Sequence, residues 1–196
     1  GKELSVAFEL NIPIDHPTLL ELSVGTRVSI RGTMITAGAE VHRQLAEGAT
    51  IPEEVVEGTM LFHCRPHLLR QGRHWLVQSV EPEISAPYEP SIPDWLGHRQ
   101  IRGFLGYGGF SDDAFQHFRR FTGCYLQAFS GAGTALAQYV QSAREVPFGS
   151  GLKGPDAMWA LDVVNFPAIV TMDLQGRSLH QLIWEGSGRR LASIAD

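Results

Sequence analysis

Apolar and polar residues alternate at Val6, Phe8 and Leu10, the two-residue period of a half-buried strand. Pro13, His16 and Pro17 read as an irregular connection to Leu19, Leu20 and Leu22. A turn over 22–26 feeds a second strand over 27–31, with Val28 and Ile30 on one face, which resumes after Gly32 and Thr33 at Met34 and Ile35. The spacing becomes helical near Ala39, with His42 and Leu45 on one face, and Gly48 stops it. Pro52, Glu53 and Glu54 predict a short turn of helix ending at Gly58. The run 60–63 predicts an apolar strand, and 75–80 another, bounded by Gly72 and Pro82.

Prolines at 82, 87, 90 and 93 exclude a regular helix across that stretch. It reads as either a rigid loop over a pocket or a mobile lid. A short strand over 101–105 runs into Gly106-Tyr107-Gly108-Gly109. Ser111 and Asp112 predict a helix start, with Phe115 and Phe118 as its buried stripe. A strand over 125–129 precedes Gly131 and Gly133, then a helix holding Leu136, Ala137 and Val140. Trp159 and Leu161 lead to a core strand over 166–170, a turn over 173–176 and a last strand over 179–184. Strand–helix alternation of this kind predicts an α/β fold. The expectation is one mixed-sheet domain over 1–196, with a core of about 22–184 and a peripheral tail over 187–196.

Composition narrows the function classes. A chain of 196 residues with 43% hydrophobic content can bury a core without disulfides. Its formal charge of −5 argues against a general nucleic-acid surface, which needs clustered positive charge. No apolar run is long enough for a membrane span, so no membrane role is expected. Cys64 and Cys124 form no Cys-x-x-Cys pair and suit a cytoplasmic protein with two free thiols. Lys2 and Lys153 are the only lysines, so arginine supplies most of the positive charge.

Two local patterns invite chemistry and do not carry it. His63, Cys64 and His67 lie close in sequence, yet neighbours on a strand point to opposite faces, which argues against a metal site. Gly106-Tyr107-Gly108-Gly109 lacks the lysine and spacing of a phosphate loop.

The segment Thr36-Ala37-Gly38-Ala39-Glu40-Val41-His42-Arg43-Gln44-Leu45 resembles the T-A-R-D-A-A-H-K-R-L segment of one family. That family is the β subunit, or C-terminal domain, of the iron–sulfur hydro-lyases, the class I fumarases and L-tartrate dehydratases. Its Pro-led turn, glycine and strand ending in G-P resemble Pro52, Gly58, 61–64 and Arg65-Pro66. Its Gly-Gly helix start and D-F-P-x-I-V-x-x-D-x-x-G motif resemble Gly131-Ala132-Gly133 and then 165–176, which opens on Asn165-Phe166-Pro167 and holds Asp173 and Gly176. The resemblance runs from about 22 to 182. It implies the swivelling β/β/α type of domain, which closes over a partner domain holding a [4Fe–4S] cluster and supplies groups that bind a dicarboxylate and move its proton.

The departures fall on the polar set. The family's arginine falls on Gly38 and its aspartate on Ala39. Its G-P-T-T-S-x-R-M-D motif aligns with residues 81–89, so the proton-transfer threonine becomes Glu83 and the substrate arginine becomes Pro87. Its G-K-G becomes Gly106-Tyr107-Gly108, and of the set only His42 is kept. A dicarboxylate in a closed pocket needs compensating positive charge, or its desolvation is not offset. Ordinary fumarate or tartrate hydration is therefore not expected.

The expected site has Glu83 and His42 as acid–base candidates and Arg65, Tyr88 and Tyr107 as substrate-binding candidates. The bland readings are a solvated loop glutamate, a packed helical histidine and tyrosines filling space. The expected function is a lyase or isomerase acting on a small organic molecule less anionic than fumarate. No cofactor is expected in this chain, because two cysteines do not make a cluster site. Two alternatives stand beside it: a β subunit paired with a [4Fe–4S]-bearing α chain, and a non-catalytic binding or regulatory module. The expected partners are that α chain or further copies of this one.

Overall fold

The alternation seen along the sequence builds a barrel. A computed structural model describes residues 6–99, 101–128 and 133–172. In chain order these form β1 (Phe8–Asn11), α1 (His16–Glu21), β2 (Arg27–Thr36), α2 (Ala39–Ala46), β3 (Met60–Phe62), β4 (Cys64–Gln71) and β5 (His74–Pro82). A 3-10 turn (Ala86–Ser91) then runs into α3 (Ile92–Arg99). They are followed by β6 (Gly103–Gly106), α4 (Asp112–Phe121), β7 (Cys124–Ala128), α5 (Gly133–Ala137), β8 (Val140–Val146), a second 3-10 turn (Gly154–Asp156) and β9 (Met158–Met172).

Strands β2, β3, β6 and β7 pair in parallel, β7 pairs antiparallel with β9, and β9 returns to β2. Those pairings close a five-stranded ring. The two long strands make closure possible, because each shares its outer edge between two neighbours. Strand β2 gives its first half to β1 and its last residues to β3, and β9 gives its first half to β8 and its end to β7. A bulge at Ile30/Gly32 bends β2 against β9. Gly32 sits there at φ 127°, and a Cβ would lie 2.5 Å from the Ile12 carbonyl oxygen. The β4–β5 hairpin stands outside the ring.

Period-two alternation sends each strand's side chains into two separate cores. Val28, Met34, Phe62, Leu105, Leu126 and Phe166 fill one of them. Leu61, Phe104 and Tyr125 turn the other way and pack with Val41, Trp95, Phe115 and Phe118 of α2, α3 and α4. The mixed-sheet α/β architecture expected from the sequence is the one observed.

Several local expectations need correction. Residues 16–21 are helical, since Pro17 occupies the first turn, where no amide is required, and Asp15 accepts from the Thr18 amide at 2.8 Å. Residues 52–54 form a turn without helix. The proline-rich stretch is an ordered 3-10 turn and then α3, with Pro93 tolerated in the first helical turn. Val140 opens strand β8, because α5 stops at Ala137. The turn at 173–176, the strand at 179–184, the tail at 187–196, and Phe129 and Gly131 lie outside the described residues.

Candidate functional site

Parallel strands β2, β3 and β6 end side by side, and the space beyond the carboxyl ends of such strands is where α/β folds place ligands. Helix α2 starts there, with Gly38 as its N-cap. The chain leaving β5 wedges into the same place. Glu83 donates its amide to the His63 carbonyl at 2.7 Å, the Tyr107 amide donates to the Glu83 carbonyl at 3.0 Å, and the Ser85 amide donates to the Tyr107 carbonyl at 3.0 Å. Extended backbone puts Glu83 and Ser85 on one side and Ile84 on the other. Ile84 is accordingly 57% exposed and Ser85 fully buried.

Glu83 is half-buried, and its Oε1 is enclosed without a hydrogen-bond partner. The Tyr88 hydroxyl donates to the carboxyl group. Burial pushes the Glu83 carboxyl above the usual glutamate range, against the pull of the Tyr88 hydrogen bond and the nearby Arg65 guanidinium. Gly38 leaves room for this carboxyl, since a Cβ at that position would lie 3.2 Å from Oε1.

His42, on α2, is 5% exposed and stacks on Tyr88 with ring centroids 4.2 Å apart and planes 5° apart. The Trp95 indole N–H points at its Nδ1 at 3.5 Å, which puts the imidazole proton on Nε2. That Nε2 is buried without a partner. Burial lowers the His42 pKa to about 3, so the ring is neutral at physiological pH. His63 is fully buried 5.1 Å from the His42 ring, and burial with the neighbouring His42 pushes it well below the usual histidine value. Its Nδ1 lies 2.7 Å from Ser85 Oγ, which also accepts from the Tyr125 hydroxyl at 2.9 Å. Burial raises the Tyr88 and Tyr125 hydroxyls, which remain protonated donors.

The structure therefore brings Glu83, Tyr88 and His42 into one cluster. Arg65 stands beside it on β4, half-exposed and paired to Asp156 at 3.0 Å. Tyr107 joins the cluster through its backbone alone and is 42% exposed on the rim. Sequence reasoning missed Ser85, Tyr125 and Trp95, and weighed His63 only as a metal ligand. Ser85 carried a signal, since it falls inside the motif aligned over 81–89; Tyr125 and Trp95 carried none beyond their size.

The residues do not fit a four-iron cluster. Among the described residues no group of three or more His, Cys, Asp or Glu side chains is placed to hold a metal. Cys64 and Cys124 are both buried, and burial with the neighbouring Glu83 raises the Cys64 thiol. No step through a cluster in this chain follows. What the site offers is a carboxyl group whose pKa burial raises, a tyrosine hydroxyl and buried neutral imidazoles, a set that suits proton transfer.

Comparisons with known proteins fit this geometry. Residues 2–183 match the family model described as Fumarase C-terminus. The chain is 31% identical over 191 residues to a putative fumarate hydratase class I of Geobacillus stearothermophilus, across 95% of this chain and 36% of that protein. It therefore spans little more than a third of that relative's length. It is 28% identical over 165 residues to a putative L(+)-tartrate dehydratase subunit beta of Methanocaldococcus jannaschii, covering 82% of this chain and 85% of that one. It is also 27% identical over 172 residues to the L(+)-tartrate dehydratase subunit beta of Escherichia coli K12, covering 87% and 85%. A match over nearly the whole chain, on a closed barrel whose strand ends carry the motif residues, makes this chain a member of the fumarase C-terminal family.

Proposed function

We propose that this chain supplies the acid–base part of a lyase- or isomerase-type site for a small organic substrate less anionic than fumarate, with Glu83 as the proton carrier. The observation that supports the reading is the Glu83 carboxyl, with its Oε1 enclosed and unpartnered and the Tyr88 hydroxyl against the group. A carboxylate so placed takes a proton from a carbon next to a carbonyl and returns it to the same or a neighbouring carbon. Tyr88 donates to Glu83 and so stabilises its charged form before the transfer. His42 acts through Tyr88: its stacked ring holds the phenol in place, and its neutral state adds no charge against the substrate. Arg65, already paired to Asp156, adjusts the local field and leaves no dedicated clamp for a second carboxylate.

A second reading has its own support. Ile84, next to Glu83, and Tyr107, hydrogen-bonded to its backbone, expose apolar surface, and two relatives are named as β subunits. In that reading the chain pairs with a [4Fe–4S]-bearing α chain, whose cluster would supply Lewis-acid chemistry while Glu83 moves the proton.

Two measurements test these readings. Solvent deuterium exchange into small carbonyl compounds and mono-acids, followed by NMR with the full chain, should exceed background and fall about 10²-fold or more in Glu83→Gln, the usual contribution of a positioned acid–base group. Equal exchange by both proteins rejects Glu83 as the carrier. Anaerobic affinity capture with iron analysis separates the two readings. A stoichiometric iron-bearing partner supports the subunit, and an iron-free homo-oligomer supports the stand-alone protein.

A further inference from the structure

The segment that carries Glu83 is fixed by an arrangement that the acid–base reading does not use. Residues 83–85 form a short extended link between the ends of β3 and β6, and three backbone hydrogen bonds hold it. Backbone bonds of this kind tolerate a slip. A shift of one residue would turn Ile84 inward and Glu83 out to water.

The side chains supply what the backbone lacks. Ser85 Oγ meets two partners from separate segments, His63 Nδ1 just past β3 at 2.7 Å and the Tyr125 hydroxyl of β7 at 2.9 Å. The notch that admits it exists because residue 106 is glycine. A Cβ there would lie 2.0 Å from Ser85 Oγ, 3.2 Å from the Glu83 carbonyl and 3.3 Å from His63 Nδ1. The donor count also selects a tautomer. Tyr125 donates to Ser85, so the serine proton goes to His63 Nδ1, leaving the imidazole proton on Nε2, which is buried without a partner. The reverse arrangement would leave two groups unmet, the serine proton and the Nε2 lone pair, against one.

We infer that Ser85, gripped by His63 and Tyr125 in the notch opened by Gly106, is the positioning residue that sets which way Glu83 faces. The inference rests on the acid–base reading of Glu83. It assigns a purpose to a buried Ser–His–Tyr chain that touches no exposed surface, and it gives the first glycine of the 106–109 run a reason that is not phosphate binding.

The test reads Glu83 directly. In the full chain with ¹³C-labelled glutamate, comparison with Glu83→Gln identifies the Glu83 carboxyl signal, which is then followed with pH. In the wild type it should titrate above an ordinary glutamate. In Ser85→Ala and His63→Leu that upward displacement should be lost, while His63→Asn, which keeps a polar atom near the Nδ1 position, should retain it. Long-range ¹⁵N spectra should show His63 protonated on Nε2. A folded Ser85→Ala protein with unchanged Glu83 titration overturns the inference. Should Ser85→Ala fail to fold, Tyr125→Phe removes a single hydroxyl from the same anchor; a partial fall in the Glu83 midpoint supports the inference, and an unmoved midpoint overturns it. An ordinary midpoint in the wild type would instead reject the acid–base reading itself.

Discussion

Each polar residue at this site is defined by what a neighbour lacks. Glu83 has room because residue 38 has no side chain, and Ser85 reaches its partners because residue 106 has none. Gly106→Ala should therefore destabilise the fold by about 1–3 kcal/mol, the usual cost of forcing an extra carbon into a packed interior. A urea titration would show it, and an unchanged midpoint would mean that the notch is looser than its 2.0 Å approach indicates. The same enclosure governs the thiols. Cys64 is buried, raised by burial and by Glu83, and Cys124 is buried against the Arg102 carbonyl. Reactivity needs an accessible thiolate. Neither cysteine should react with a thiol reagent in the native state, and both should react on unfolding; rapid native labelling of either one would contradict the packing described.

At the scale of elements, alternation made most of the barrel legible. The first half of β2, with one buried face, shows its period in the sequence, β6 and β7, buried on both faces, read as short apolar runs, and α4 shows both its cap position at Ser111 and its phenylalanine stripe. Elements held by other means were not visible. The strands of the hairpin β4–β5 pair with each other and carry many exposed side chains, so β4 has no apolar period to read. Helices α1 and α3 start on prolines that a sequence reading takes as breakers. The site divides in the same way. Glu83, Tyr88 and His42 lie on segments aligned with a family motif, whereas His63, Ser85 and Tyr125 meet only once β3, the link after β5 and β7 have come together. One inter-element contact yields a further prediction. Glu89, in the 3-10 turn, accepts from the Ser111 amide at 3.1 Å and from its hydroxyl, so a distant carboxylate caps α4. Glu89→Ala should cost about 1 kcal/mol, as the loss of a helix cap does, visible as a lower urea midpoint with an unchanged slope.

For the whole molecule, the consequence of closing a barrel over two histidines is a stability that depends on pH. His42 and His63 lie where α2 and the ends of β2 and β3 meet, enclosed by Tyr88, Trp95 and Phe104. Both are held below the unfolded value, His42 at about 3 against 6.5. The unfolded chain therefore binds protons that the folded chain refuses. The stabilisation is complete above pH 6.5 and is lost as pH falls from there towards the folded value. At pH 5 the loss amounts to about 2 kcal/mol for His42, and His63 adds to it in the same direction. Glu83 works in the opposite sense. Its raised pKa favours folding below the ordinary glutamate value, and that contribution disappears as pH rises through the folded value. The histidines outweigh it in the window between pH 7 and 5, because they are the more deeply buried and there are two of them. Urea unfolding should therefore show a midpoint that falls steadily across this window, and His42→Phe, which keeps a flat ring against Tyr88, should flatten the fall. A wild-type midpoint unchanged between pH 7 and 5 would mean that the imidazoles reach water, and that the cluster behind Glu83 is open to it.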